Sequence, residues 1–365
     1  MPDWTKSMEQ SFEYYTVEPT TLADVKRLDN VKKASFSRDA ESQTLGSATI
    51  DVTNSLGETY IRGYLKTIQN GITEKFPLGT VLSQTPSSSF NGKILEVSMD
   101  CYTPLIELKE KMPPIGYTVR KGTRIMDAAY NIIRDNCRVP VTKVPPIYGQ
   151  NDDGEQIDLS PTLQYDFTAD TNDTYLSFVI ALIANAEYEL GLDEKGGILF
   201  LPKQDLESLQ PVWTFNDDNS SILLPDITVN HDLYGIPNVI EVIYSCGSDY
   251  KRAVARNDDP NSPTSTISRG REIPYYDTYP SAYGYATEGE LNAYAERTLK
   301  ELSTLEYTVS YSHAYCPVRI GDCVRLNYTR AGIKNIKAKV ISQNIKAEPG
   351  CTVSEKAVFK TKLWR

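Results

Sequence analysis

Between Tyr307 and Val340 the hydrophobic pattern has period two. In YTVSYSHAY, Tyr307, Val309, Tyr311, His313 and Tyr315 share one face of an extended chain, and Thr308, Ser310, Ser312 and Ala314 share the other. This spacing predicts a strand with a bulky face and a small one. After Pro317 the alternation resumes, with Val324, Leu326 and Tyr328 opposite Cys323, Arg325 and Asn327, and then with Ala338 and Val340 set between lysines. Three half-buried strands in so short a stretch imply an antiparallel sheet or small barrel.

A second such region precedes it. Ala48, Ile50 and Val52 alternate with polar neighbours, as do Leu95, Val97, Met99 and Cys101. Thr59 to Gln69 is β-branched and aromatic, and Asn54, Gly57, Asn70-Gly71 and Asn91-Gly92 fall where turns are needed. Ser11 to Cys101 therefore reads as an all-β unit of barrel size.

Between the two regions the period changes. Ile125, Ala129, Ile132 and Ile133 form one apolar stripe of a helix opening near Thr123. Val139 to Thr162, rich in proline and carrying Asn151-Asp152-Asp153-Gly154, reads as a loop or exposed hairpin. A second helix is expected over Thr171 to Leu190, followed by the turn Asp193 to Gly197 and a strand from Ile198. Further on, PNVIEVIYS (Pro237 to Ser245) has the composition of a strand covered on both faces. Asn257 to Ser268 is so poor in apolar residues that it reads as a mobile loop, joining Tyr250 to Ala255 and Arg269 to Tyr276 in a long hairpin. Thr287-Glu288-Gly289-Glu290 is a capping box opening a helix that runs to about Leu302. The fold class is thus mixed β and α+β. Two small β-barrel domains, 1–108 and 212–365, flank an α/β middle domain, 109–211, and the second barrel carries a helical insertion at about 287–303.

Composition narrows the chemistry. The 365 residues are 40% hydrophobic and 24% charged, values of an ordinary globular chain. No apolar run reaches the length of a membrane span, and MPDWTKSMEQ lacks the apolar core of a signal peptide, so synthesis in a cytoplasm and no membrane insertion are expected. A net charge of −10 argues against phosphate binding as the main activity. Six cysteines without a CxxC pair and two histidines give no zinc pattern, so no metal and no cofactor are expected. His231 in NHD and His313 in SYSHAY could be written into a Ser/His/Asp set, but neither lies in a nucleophile motif such as GxSxG. His313 shares its face with tyrosines, as a hydrogen-bonded core or interface imidazole would. No catalytic residue is assigned. The 24 tyrosines, against three tryptophans, suit strands and contact surfaces. Tyr275, Tyr276, Tyr279, Tyr283 and Tyr285 are the candidates for sugar stacking; packing or a subunit contact accounts for them equally well.

Six segments in order, LGTVLSQTPSSSFNG, CYTPLIELKEKMPP, KGTRIMDAAYNIIRDNC, GLDEKGGILFLP, GIPNVIEVIYS and YCPVRIGDCVRLNY, together resemble the baseplate hub proteins of contractile-tailed phages. Relatives in that family form the trimeric base of the spike in phage-like injection systems. The resemblance implies two related barrels, an α/β module between them, a helical element in the second barrel, a homotrimer, and no catalytic residues. It implies a virion protein of the tail baseplate, with the tail tube protein, the central spike protein, other baseplate proteins and a tape measure protein as partners. A tube is sixfold and a spike threefold, so three chains with two like barrels each would form a pseudo-sixfold adaptor, with genomic DNA passing through its channel unbound. The alternatives are a hub of a phage-like contractile injection system or a siphophage-type tail-tip protein that contacts carbohydrate on the host. With the sequence ending at KLWR, directly after the last strand, no fused hydrolase or receptor-binding region is expected.

Overall fold

Alternation turns into pairing from Glu9 onward in the computed structural model, which describes residues 2–54, 56–90, 92–93, 95–150, 155–231, 233–246, 249–279 and 286–362. The chain packs as two units, Met1–Asp226 with Tyr311–Lys356, and Ile227–Ser310 with Ala357–Arg365. In the first unit β1 (Glu9–Glu18), β2 (Ala23–Leu28), β3 (Val31–Asp39), β4 (Gly46–Val52), β5 (Tyr60–Gln69), β6 (Ile72–Phe90) and β7 (Leu95–Tyr102) lie in the order β3-β4-β7-β6-β5-β1-β2. Inward residues include Phe36, Ala48, Ile50, Met99 and Cys101, all nearly inaccessible. The outward residues of the same rows are polar, and most are short. Ser35, Thr49, Asp100 and Thr85 lie side by side across β3, β4, β7 and β6, and so do Lys33, Asp51, Ser98 and Ser87.

The middle segment adds α1 (Ile106–Lys109), β8 (Thr118–Val119), α2 (Ile125–Asn136), the hairpin β9 (Tyr148–Gln150) and β10 (Gln156–Asp158), β11 (Phe167–Thr168), α3 (Tyr175–Ala184), β12 (Tyr188–Leu192), β13 (Ile198–Pro202) and β14 (Pro211–Asn216). Helix α2 buries the stripe expected of it, Ile125, Ala129, Ile132 and Ile133, in one core with Leu176, Val179 and Ile183 of α3 and with Tyr60 and Leu82 of the sheet. Helix α3 is shorter than its apolar run suggests. The Asn185 amide donates back to the Ala181 carbonyl at 2.9 Å and Glu187 takes a left-handed φ of 57°, which ends the helix and starts β12. The turn expected at Asn151 to Gly154 lies outside the described residues.

The second unit holds β16 (Val239–Cys246), β17 (Asp249–Arg256), a single turn α4 (Thr266–Arg269), β18 (Pro274–Thr278) and α5 (Glu288–Leu302); it is entered along β15 (Leu223–His231) and left along β19 (Thr304–Ala314). The order is β17-β16-β18, antiparallel on one side of β16 and parallel on the other, so Tyr250–Ala255 and Arg269–Tyr276 are not hairpin partners. Nor is the polar loop between them loose. Asn257, Ser262, Thr264 and Ser265 are fully buried, with the Asn257 amide donating to Ser262 Oγ at 3.0 Å and the Asn238 amide to the Thr264 carbonyl at 3.2 Å. Hydrogen bonds among short side chains replace an apolar core here. The capping box forms as expected, Thr287 and Glu290 exchanging bonds, and α5 buries Leu291, Ala295 and Leu299 against Ile240 and Val242.

The chain then returns to the first unit. Strands β20 (Cys323–Tyr328), β21 (Ile333–Lys346) and β22 (Thr352–Lys362) follow, β20 antiparallel to β21 and parallel to β14. Strand β21 pairs with β3, placing Asn344 beside Ser37 and Ile345 beside Phe36, which makes one sheet of the two ends of the sequence.

Two features of the first unit lead to tests. Phe36 lies over the cross-strand pair Gly63 and Gly79, and a Cβ on Gly63 would sit 2.5 Å from Phe36 Cζ. Gly63→Ala is expected to lower unfolding free energy by about 1–3 kcal/mol in urea titrations, with part of the loss restored in the Phe36→Leu background. The buried Glu13 carboxylate accepts from Lys75 Nζ at 2.5 Å and from the Tyr15 hydroxyl at 2.9 Å, with Lys66 at 3.5 Å. The Lys75 bond leads the causes that hold Glu13 at a pKa of about 2 against an ordinary 4.5. Its contribution is therefore present above pH 4.5 and lost as pH falls towards 2. Glu13→Gln should flatten the acid limb of stability by about 1–2 kcal/mol, read as a smaller difference between unfolding midpoints at pH 5 and pH 2.5.

Candidate functional site

His313 is the better placed of the two histidines to be tested for chemistry. Strand β19 turns Tyr311 and His313 inward, and β22 brings Glu355 to meet them. The imidazole Nδ1 lies 2.8 Å from the Ala314 carbonyl, which only accepts, so Nδ1 carries a proton. Its Nε2 lies 3.2 Å from Glu355 Oε2. The Tyr311 hydroxyl donates to Glu355 Oε1, and Gln343 Nε2 donates to Glu355 Oε2 at 2.7 Å and to the Val318 carbonyl at 2.9 Å. Gln343 Oε1 in turn accepts from Arg38 Nη1 at 3.0 Å, and Arg38 Nη2 donates to the Leu78 carbonyl at 2.8 Å. Cys316 Sγ stands 3.8 Å from His313 Nδ1.

On paper this is a thiol, an imidazole and a carboxylate in line. Cys316, His313 and Glu355 are, however, 1%, 0% and 2% exposed, so no substrate reaches them. Burial, with the Glu355 charge adding to it, pushes the Cys316 thiol far above its ordinary range, the opposite of what a nucleophile needs. Chemically the cluster can hold four strands together, and it offers no open position for a reacting atom. His231 ends β15, and its side chain and Asp232 lie outside the described residues. Among the described residues no three His, Cys, Asp or Glu side chains converge as metal ligands. The five described cysteines are buried and unpaired.

The tyrosine candidates separate. Tyr275 is in register with Ile240, on the side of the small sheet that α5 covers, and Tyr276 with Glu241, on the opposite side. Tyr279 packs edge-on against Tyr294 and Tyr244, with ring centroids 5.3 and 6.0 Å away. Tyr283 and Tyr285 lie outside the described residues. A single stacking surface made of these residues is therefore not what the described part forms.

No known protein-family model matches the chain, and no curated protein sequence does. Solved structures do. A tail protein from Neisseria meningitidis MC58 is 12% identical with a TM-score of 0.60, the match covering 97% of this chain and 98% of that one. The 43 kDa tail protein of prophage MuSo2 from Shewanella oneidensis is 11% identical with a TM-score of 0.59, covering 98% and 100%. The fold is that of phage tail proteins. A chain of the Francisella PdpA-VgrG complex is also similar, at 9% identity and a TM-score of 0.56, with 97% of this chain covering 58% of that one.

Within this tail-protein fold two buried charges escaped the sequence reading. Arg62, 1% exposed, donates from Nε to Thr80 Oγ1 at 2.8 Å, from Nη1 to Asp24 Oδ1 at 2.8 Å and the Leu22 carbonyl at 3.0 Å, and from Nη2 to the Lys195 carbonyl at 2.7 Å. It thereby fastens the β12–β13 turn to the sheet. The available signal was an arginine between Tyr60 and Tyr64 on one face of the strand. Glu107 accepts from the Tyr60 hydroxyl at 2.8 Å and from the Arg138 backbone and guanidinium at 2.8 and 2.7 Å, yet it sits in a charged run that reads as solvated.

If the His313 cluster is structural, removing its acceptor should destabilise the protein. Glu355→Ala is expected to cost about 2–4 kcal/mol, since it strands the donors of Tyr311 and Gln343 away from water. Thermal denaturation of the variant beside His313→Ala and the double variant would measure this, the two losses summing to more than the double shows.

Proposed function

We propose that the chain is a structural subunit of a phage-type tail, a baseplate hub that closes as a homotrimer between a sixfold tail tube and a threefold spike. The observation that carries this reading is the end-to-end fold match with two tail proteins, each spanned almost whole. In the proposed assembly each chain contributes two β-rich parts of like shape, six around the ring, which reconciles the two symmetries. The neighbours are the tube protein, the spike protein, other baseplate proteins and a tape measure protein. The subunit works by shape and does no chemistry of its own.

The polar rows of β21, β3, β4 and β7 would form the channel wall. Apart from Lys33 and Lys346 most of their side chains are short, and Asp51 and Asp100 offset those two lysines, so the face offers phosphates no array of cations to hold them. Ordinary solvation also explains polarity on one side of an antiparallel sheet, but it does not call for side chains this short. The likeness to a chain of the PdpA-VgrG complex supports a second reading, in which the same hub serves a contractile injection system.

A reconstruction of the assembled tail tests both parts. Three copies per ring, with Ser37 and Thr49 turned to the bore, are expected. Six copies per ring, or a bore lined continuously by lysine and arginine, would remove the proposal.

A further inference from the structure

Among the described residues the three-stranded sheet of the second unit is covered by α5 on one face, and the other face is built unlike an ordinary solvated surface. In register across β18, β16 and β17 it presents Tyr276, Glu241 and Val254, and in the next row Thr278, Ile243 and Arg252, with Tyr250 one step beyond, beside Ser245. Tyr276 and Tyr250 are 66% and 62% exposed. Between them Arg252 grips Glu241 two-pronged, Nε to Oε1 at 2.6 Å and Nη2 to Oε2 at 2.7 Å. The Glu241 bond leads the causes that raise the Arg252 pKa. At the far end Arg256 is paired with Glu272.

We propose that this face binds a neutral oligosaccharide. The class follows from charge and shape. Both arginines are already neutralised by carboxylates, so the face attracts neither an acidic nor a basic partner. What remains is two exposed aromatic rings flanking a planar bidentate pair. Rings of this kind stack on the C–H faces of pyranoses, and a fixed carboxylate and guanidinium accept from and donate to vicinal hydroxyls. The tyrosine hydroxyls give the rings a polar rim. The proposal is independent of the hub reading, because a surface sugar site suits any tail protein that meets a cell envelope.

The test is titration calorimetry of the full chain with pentasaccharides of glucose, galactose and N-acetylglucosamine, repeated on Tyr276→Ala, Tyr250→Ala and Tyr276→Phe. At least one sugar is expected to bind with a millimolar or tighter Kd, weakened about tenfold or more by either alanine and retained by the phenylalanine, whose ring still stacks. Circular dichroism melts should not move, since both side chains are largely in water. Three outcomes overturn the proposal: no heat with any of the three sugars, binding indifferent to both alanines, or a changed oligomeric state in light scattering, which would make the face a protein contact.

Discussion

The pairing of β3 with β21 is the constraint on which the first unit depends. It lets the Ser35 hydroxyl donate across the pair to Asn344 Oδ1 at 2.8 Å, 309 positions away, and so closes the chain into one sheet. Closing so long a loop costs conformational entropy that grows only with the logarithm of length, and the harder requirement is register. A slip of one residue would turn Phe36 out of the core and Ser35 in. The register is held twice. Phe36 fits over Gly63 and Gly79, and Arg38 reaches Gln343, which holds Glu355 between Tyr311 and His313. Apolar shape and buried polar bonding therefore demand the same alignment, and an alignment that satisfies one satisfies the other.

Local pattern carried much of the fold in advance. The alternation of β3, β4, β7 and β19, the stripe of α2 and the capping box of α5 are all short-range signals, set by residues within a turn or two of each other. The errors came where distant residues decide. Helix α3 stops ten residues in because Asn185 caps it, although apolar residues continue beyond. Asn257, Ser262, Thr264 and Ser265 are buried in hydrogen bonds with one another and with Asn238, which composition alone cannot distinguish from solvation. Strand β18 pairs parallel to β16 because the chain between runs back along the sheet, and no adjacent-residue rule reveals that. The candidate site was legible only in part. His313 was correctly placed among core tyrosines, while Glu355, its partner, stands in a strand whose neighbours are lysine and serine and gave no sign of burial.

The same distinction explains how proteins only 11–12% identical hold this fold. A sheet needs inward apolar volume and outward polarity at period two, and many residue choices meet that demand. Individual identities are needed at few points, such as the glycines under Phe36 and the polar residues around Glu355. These are places where a substitution meets a fixed neighbour rather than an adaptable one.

Burial of the thiols has a consequence for where such a protein can reside. Oxidants and disulfide exchange act on thiolate, and burial pushes Cys101, Cys137 and Cys351 up to about 12. At neutral pH fewer than roughly one in ten thousand of these groups is ionised, and none is open to a reagent. The strands that hold them need no disulfide to form and present no sulfur to lose. At the five described cysteines the fold is insensitive to redox poise. Those strands can be completed in a reducing cell interior and then persist in oxidising surroundings with these five thiols unchanged.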